Sequence, residues 1–175
     1  YWRTRCFCPN LRRHAVDYLC KPGGVVYDLC CGNGENFAHL HASVGPEGRI
    51  YGSDTATGMV VDAKQRCRQN GFANIIIECA DAIAYTPPEP LDGVLLSFCY
   101  NVLPHQLEVV RKAWKMLKKG GHLVVVDAKV PDMFEFLQPF IEPVVLRLVG
   151  ASNKSKAWEE IPKALGREGV LTRRM

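Results

Sequence analysis

Short apolar runs alternate with helical patterns through most of the chain, and this alternation is the strongest constraint on its fold. The apolar runs at residues 25–27, 49–53, 75–77, 93–98 and 123–126 predict strands, of which 75–77 should be buried. Helical patterns occupy residues 12–19, 35–43, 58–69 and 107–117, and the last should end at Lys118-Lys119 before a glycine pair. Nearly continuous apolar strands need cover on both faces. The sequence therefore predicts an α/β fold with a doubly wound, mostly parallel sheet.

We expect residues 1–175 to form a single domain. Residues 1–24 would be a helical N-terminal segment, 25–127 the ligand-binding core, and 128–175 a substrate-side segment or lid. Residues 133–150 are apolar and interrupted by prolines, which predicts short helices on the sheet or a surface for a lipid-like substrate or a partner. Residues 169–173 could begin a sixth strand. Because the chain starts at Tyr1 rather than at methionine, we treat it as a candidate fragment.

Charge and cysteine usage narrow the classes of function. The net charge is +4, but Lys and Arg never run beyond adjacent pairs, so nucleic-acid binding is not expected. No uncharged apolar run reaches the roughly 18 residues of a spanning helix, and no signal peptide pattern is present. The eight cysteines lack zinc-ligand spacing and mostly lie in apolar stretches, which favours reduced thiols. We expect a cytoplasmic protein without a metal site.

The loop after the first strand carries the clearest chemical signal. Asp28 ends the strand, and Gly32 and Gly34 follow before a helix begins. Glycines there let the backbone approach a ligand and expose amide groups at the positive end of a helix. A tight turn without a ligand is the structural alternative. A dinucleotide site is the functional alternative, but its third glycine position falls on Phe37 and Asp28 would repel a diphosphate.

Two further aspartates follow the second and third strands. Asp54 could accept hydrogen bonds from ribose hydroxyls, and Asp81 could accept one from an adenine amino group while the Ala82 amide faces the ring. Helix capping at Asp54 and a surface turn at Asp81 are the structural alternatives. Ligands of doubly wound sheets bind at the carboxyl ends of the strands, so the aspartates together predict a nucleoside site. S-adenosylmethionine, with an ammonium and a sulfonium, is compatible with the charge of Asp28.

Three motifs resemble those of class I S-adenosylmethionine-dependent methyltransferases. They are Val26-Tyr27-Asp28-Leu29-Cys30-Cys31-Gly32-Asn33-Gly34, Gly52-Ser53-Asp54 and Ala80-Asp81-Ala82. Segments 97–102 and 113–121 are similar to the ubiquinone/menaquinone-biosynthesis C-methyltransferases and to related phospholipid N-methyltransferases. The resemblance covers roughly residues 12–127. It departs at Cys30, where the family has its first glycine, and after Asp127, where less chain remains than the last two strands need.

The resemblance implies S-adenosylmethionine as cofactor, S-adenosylhomocysteine as product, and in-line transfer of a methyl group to a small-molecule or lipid-like acceptor. The implied cofactor-binding residues are Asp28, Cys30, Cys31, Gly32, Gly34, Asn36, Phe37, Asp54, Thr55, Met59, Asp81, Ala82, Ser97 and Phe98. If the acceptor needs a base, Tyr100 and His105 are the nearest candidates, with core or capping roles as the alternative. An NAD-type oxidoreductase and a cofactor-binding module without activity stay open, as do the acceptor and a homodimer.

Overall fold

The computed structural model describes residues 9–127 and 157–166, whose strands form one sheet. The strands are β1 Val25–Leu29, β2 Arg49–Asp54, β3 Ile75–Cys79, β4 Leu91–Ser97 and β5 Leu117–Val126. The helices are α1 Pro9–Leu19, α2 Phe37–Val44, α3 Thr57–Asn70, α4 Gln106–Lys115 and α5 Ala157–Leu165. A short 3-10 turn, Tyr100–Val102, follows β4.

The sheet is parallel, and its strand order is β3-β2-β1-β4-β5. The chain moves outward from β1 to β3 and then returns to place β4 on the other side of β1. This reversal creates a crevice at the carboxyl ends of β1 and β4, where doubly wound folds bind their ligands. The predicted α/β doubly wound class is confirmed.

Helices cover both faces of the sheet because successive strand residues point to opposite sides. Val26 and Leu95 pack on the face covered by α1, α2 and α3. Tyr27 and Val94 pack on the other face, in a cluster with residues of α4 and α5. The apolar strands are therefore buried in two layers, which is why their sequences are apolar without strict alternation.

Helix α1 docks at a glycine in the middle of the sheet. A Cβ atom added at Gly93 would lie 2.6 Å from the backbone oxygen of Leu19, and 2.7 Å from its Cγ. Contacts that short with backbone atoms are not tolerated, so only glycine permits this approach of the C-terminal end of α1 to β4. The contact fixes the position of α1 above the sheet.

Two predictions about the strands were wrong in detail. Strand β3 lies at an edge of the sheet, so it is only partly buried and Ile76 remains 42% exposed. The fourth helix ends at Lys115, and β5 begins at Leu117 rather than at residue 123. Leu117 pairs with Leu91 and His122 with Gly93, so the residues between them bulge out of the ladder. The two lysines thus lie in this irregularity and not at a helix end.

The remaining predictions about the C-terminal part concern residues that are not described. Segments 133–150 and 169–173 both lie outside the described ranges. The domain boundaries stay a prediction. Helix α5 was not predicted, although its residues Ala157 and Ile161, four positions apart, are buried against the sheet side of the protein.

Candidate functional site

The candidate site lies where β1, β2 and β4 end at the same edge of the sheet. Asp28 is the penultimate residue of β1, Asp54 ends β2 and Ser97 ends β4. Parallel pairing brings these ends together, with Leu29 opposite Ser53 on one side and Leu96 on the other. In the observed strand order these polar residues lie at one edge of the sheet, as the sequence predicts.

The loop after β1 is held open by left-handed backbone conformations. Cys30, Gly32 and Gly34 have φ angles of 58°, 54° and 77°. A Cβ at Gly34 would lie 2.4 Å from the ring of Phe37, whereas one at Gly32 would meet no atom within 4 Å. The loop therefore packs tightly at Gly34 and faces open space at Gly32. Cys30 takes a conformation that glycine prefers, which is the physical meaning of its departure from the family motif.

Asp54 braces this loop from the neighbouring strand. Its Oδ2 accepts a hydrogen bond from the backbone N–H of Gly32 at 2.9 Å, and its Oδ1 accepts one from Ala56 at 2.9 Å. The backbone N–H of Cys31 donates to the carbonyl oxygen of Ser53, also at 2.9 Å. Asp54 is half-buried, so its carboxylate is fixed in place and still reaches the surface of the crevice.

Asp28 is a fully buried carboxylate at the centre of the site. Both of its oxygens accept hydrogen bonds from Nδ2 of Asn36, at 3.0 and 3.1 Å. Burial raises the pKa of Asp28 to about 7, with a further contribution from Asp54, while Asn36 and the charge of Arg12 act in the opposite direction. The group thus titrates near neutral pH, which is unusual for an aspartate.

Arg12 is a component of the site that the sequence analysis missed. Its Nη1 donates to Oδ1 of Asn36 at 2.7 Å and to Oγ of Ser97 at 2.9 Å, and its guanidinium lies 4.8 Å from the ring centre of Phe98. A cation therefore lies at the mouth of the crevice. The signal was present in the sequence, because residue 12 precedes the buried positions 15, 16 and 19 by three, four and seven residues.

The third predicted aspartate forms a separate turn at the end of β3. Oδ1 of Asp81 accepts a hydrogen bond from the N–H of Ile83 at 2.7 Å, and its carbonyl oxygen accepts one from Tyr85 at 2.8 Å. Asp81 is exposed and Ala82 is buried beside it. The turn follows the strand next to β2, so it extends the same edge beyond Asp54.

The remaining predicted residues divide into exposed and buried sets. Thr55 and Met59 are exposed at the start of α3, and Phe98, with a φ of 56°, is half-buried under Arg12. Phe37 is fully buried and Cys31 is 5% exposed. The side chain of Phe37 packs beneath Gly34, so it supports the loop from below and does not line the crevice. The predicted cofactor-binding set, Phe37 included, stays a prediction.

The two catalytic candidates differ in their surroundings. Tyr100 is fully buried, and its hydroxyl donates to Oε2 of Glu160 in α5 at 2.9 Å. Burial and Glu160 raise the pKa of Tyr100 above its ordinary value, so the phenol stays protonated at neutral pH. His105 is exposed at the start of α4 with a φ of 53°. Neither observation tests a catalytic role, which stays a prediction.

The described ranges offer neither a metal-binding cluster nor a membrane-spanning helix. Within residues 9–127 and 157–166, three or more His, Cys, Asp or Glu side chains are nowhere grouped so that they could hold a metal ion. Among the helices of these same ranges, not one has the length and apolar character needed to cross a membrane.

Comparison with known proteins defines the class. A sequence model of the methyltransferase domain family matches residues 26–121, more than half of the chain, and the chain belongs to that family. A solved structure of an S-adenosylmethionine-dependent methyltransferase from Aquifex aeolicus superposes with a TM-score of 0.65 at 21% identity, covering 88% of this chain and 76% of that one. The fold is thus that of class I S-adenosylmethionine-dependent methyltransferases, as the motifs predict.

Relatives with curated names indicate the kind of methyltransferase that the chain resembles. Demethylmenaquinone methyltransferases of Geobacillus stearothermophilus and Geobacillus kaustophilus are 27% and 28% identical to this chain over 145 residues. The alignment covers 79% of this chain and 62% of each relative, so the chain matches about three fifths of their length. The predicted resemblance to the menaquinone-biosynthesis methyltransferases, with S-adenosylmethionine as the cofactor of the class, is confirmed.

Proposed function

We propose that this chain binds S-adenosylmethionine in the crevice between β1 and β4 and transfers its methyl group to a small lipid-like acceptor. The observation that carries the proposal is the Asp54 carboxylate, which ends β2 and holds the N–H of Gly32 at 2.9 Å. This bond joins the nucleoside-binding acid to the glycine loop in a single rigid unit. A dinucleotide is disfavoured, because its diphosphate would lie beside the buried carboxyl of Asp28.

The residues present fit the methionine end of the donor. That end carries a carboxylate and an ammonium, and the crevice offers the guanidinium of Arg12 and the carboxyl of Asp28 within one hydrogen-bonded network. The open space above Gly32 gives the ligand room to approach the backbone. We infer that Arg12 binds the carboxylate and that Asp28 stabilises the positive charge of the ammonium.

The nucleoside end would extend along the sheet toward β3. Asp54 is placed to bind ribose hydroxyls, since each of its oxygens keeps acceptor capacity beyond the one backbone N–H that it holds. Asp81, exposed in the next turn, is placed to accept a hydrogen bond from the adenine amino group. Met59 is 47% exposed at the start of α3 and offers an apolar contact for the base.

The donor supplies an activated methyl group on a sulfonium, so the protein must mainly hold the acceptor in line with it. Tyr100 cannot readily act as a base while its pKa is raised, and its single hydroxyl proton is already donated to Glu160. The relatives are demethylmenaquinone methyltransferases, which supports a lipid-like acceptor of this class. We infer a reduced quinone or a similar lipid-like phenol. The six described cysteines are free thiols, which supports the proposed cytoplasmic location.

Two measurements test the proposal. Calorimetric titration with S-adenosylmethionine, S-adenosylhomocysteine and NAD should show binding of the first two and none of NAD. Transfer of a labelled methyl group from S-adenosylmethionine to demethylmenaquinol should then exceed that of the Asp54→Ala variant. Binding of NAD alone would identify an oxidoreductase instead. Binding of the adenosyl ligands without transfer to any quinol or phenol would reduce the chain to a cofactor-binding module.

A further inference from the structure

Lys112 makes an unusual set of contacts outside the residues considered so far. It lies half-buried in α4, and its ammonium donates to the backbone carbonyl oxygens of Ala82, Ile83 and Tyr85 at 3.4, 2.5 and 2.6 Å. All three acceptors belong to the turn after β3. An ammonium has three N–H donors, so the three carbonyl oxygens of this turn use all the hydrogen-bond donors of Lys112.

The same turn holds Asp81 in place. The N–H of Ile83 donates to Oδ1 of Asp81, and the peptide that carries this N–H also carries the carbonyl of Ala82. The C=O and N–H of a trans peptide point in opposite directions. Lys112 therefore donates to the carbonyl oxygen of this peptide, and Asp81 accepts from its N–H. The orientation of the peptide thus determines the geometry of both hydrogen bonds.

The consequence for Asp81 is a defined direction of its carboxylate. Because Oδ1 is held by the N–H of Ile83, the exposed carboxylate of Asp81 has a restricted orientation, and its Oδ2 keeps acceptor capacity for a ligand. Without the ammonium, three carbonyl oxygens would converge with no cation between them, and the turn would relax by rotating its peptides. The charge of Asp81 favours the charged form of Lys112, against burial, which lowers the pKa of this lysine.

We propose that Lys112 is a positioning residue that sets the selectivity of this protein for adenine. The inference rests on the proposed function, because it assigns Asp81 to the adenine amino group. A carboxylate oxygen in a fixed place accepts a hydrogen bond from that amino group and repels the carbonyl oxygen that replaces it in hypoxanthine. Lys112 itself lies behind the turn and does not touch the base.

The test compares two ligands that differ only in the base, S-adenosylhomocysteine with its 6-amino group and S-inosylhomocysteine with a 6-oxo group and a proton on N1. Lys112→Met keeps the chain length without the donors, and Lys115→Met removes the same charge from an exposed position of α4. We expect Lys112→Met to weaken binding of the adenosyl ligand roughly tenfold, the effect of one good hydrogen bond. Binding of the inosyl ligand should change less than about threefold, so the ratio of the two affinities falls. Lys115→Met should leave both affinities unchanged.

A purely structural role predicts a different pattern. Both ligands would then lose affinity equally, or thermal stability would fall while the affinity ratio kept its wild-type value, and either result would overturn the proposal. If Lys112→Met does not fold, Lys112→Gln, which keeps two donors, should give a smaller decrease of the same ratio. The proposed function is tested separately by the wild type, which must bind the adenosyl ligand. Wild-type binding with an unchanged ratio in the variants refutes only the role of Lys112.

Discussion

Binding of the methyl donor should release a proton from Asp28. The carboxyl of Asp28 is fully buried, and its pKa is raised from 3.8 to about 7 in the free protein. The donor brings a positive charge to the same crevice, which favours the ionised form and lowers the pKa again. Asp28→Asn removes the titrating group while keeping the size of the side chain and one of its two hydrogen bonds with Asn36.

An assumed separation between the two charges sets the magnitude. A cation about 6 Å from the carboxylate, at an effective dielectric constant of about 20, contributes close to 3 kcal/mol, or about two units of pKa. The pKa of Asp28 would then fall from about 7 to about 5 on binding. Proton release should be about 0.8 per bound donor at pH 6, about 0.5 at pH 7 and about 0.1 at pH 8. Affinity should rise roughly tenfold from pH 6 to pH 8.

Calorimetry in buffers of different ionisation enthalpy measures this proton release directly. The amine of the ligand also titrates, but at pH 6, well below the ordinary α-amino pKa of about 7.7–8.0, it is already protonated, so the difference between the two proteins at that pH reports Asp28. The sign for stability is also defined. Because its folded pKa is raised, Asp28 contributes stability that is present below pH 3.8 and is lost as the pH rises to about 7. Equal proton release by both proteins, or affinity that falls with pH, would refute the argument.

Three other substitutions test separate parts of the site. Asp54→Asn leaves one acceptor oxygen for two backbone N–H donors and removes the charge facing the ribose. The Kd for S-adenosylhomocysteine, measured by calorimetry, should therefore rise about 10- to 100-fold. Glu47→Gln, in an exposed turn, is the control. Cys30→Gly should be more stable in urea unfolding than Cys30→Ala by up to about 1 kcal/mol. A non-glycine residue in the left-handed conformation costs about 1–2 kcal/mol, and the greater freedom of glycine in the unfolded state offsets part of this gain. Lower stability of the glycine variant would contradict this. Tyr100→Phe should keep kcat within about threefold, since a protonated phenol is not the base, and a loss above about 100-fold would restore the catalytic role.

The elements and the three aspartates were predictable because their signals are local. Apolar runs mark the strands; Asp28 and Asp54 follow their runs directly, and Asp81 comes four residues after the third run. What failed depends on contacts between distant segments. The edge position of β3 and the bulge of β5 opposite Gly93 are decided by pairing, which no local pattern contains.

Arg12 shows the same limit for the site. Its acceptors, Asn36 and Ser97, lie 24 and 85 residues further along the chain. Its helical position beside buried residues was a usable signal, but only the sheet order decides which groups an arginine at that position meets. The resemblance places Phe37 in the cofactor-binding set, and only the packing of helix α2 shows that its side chain is buried in the core.

Gly93, where the C-terminal end of α1 packs on the sheet, determines the position of the other end of that helix, which carries Arg12. Seven residues separate Leu19, which touches Gly93, from Arg12, so the two lie about 10 Å apart along the helix. A tilt of about 5° at the Gly93 end would displace the other end by close to 1 Å, a misplacement that can cost an enzyme about a hundredfold in rate. An inert position without a side chain can therefore be as intolerant of mutation as the acidic residues of the crevice, although it lies outside the crevice and binds nothing.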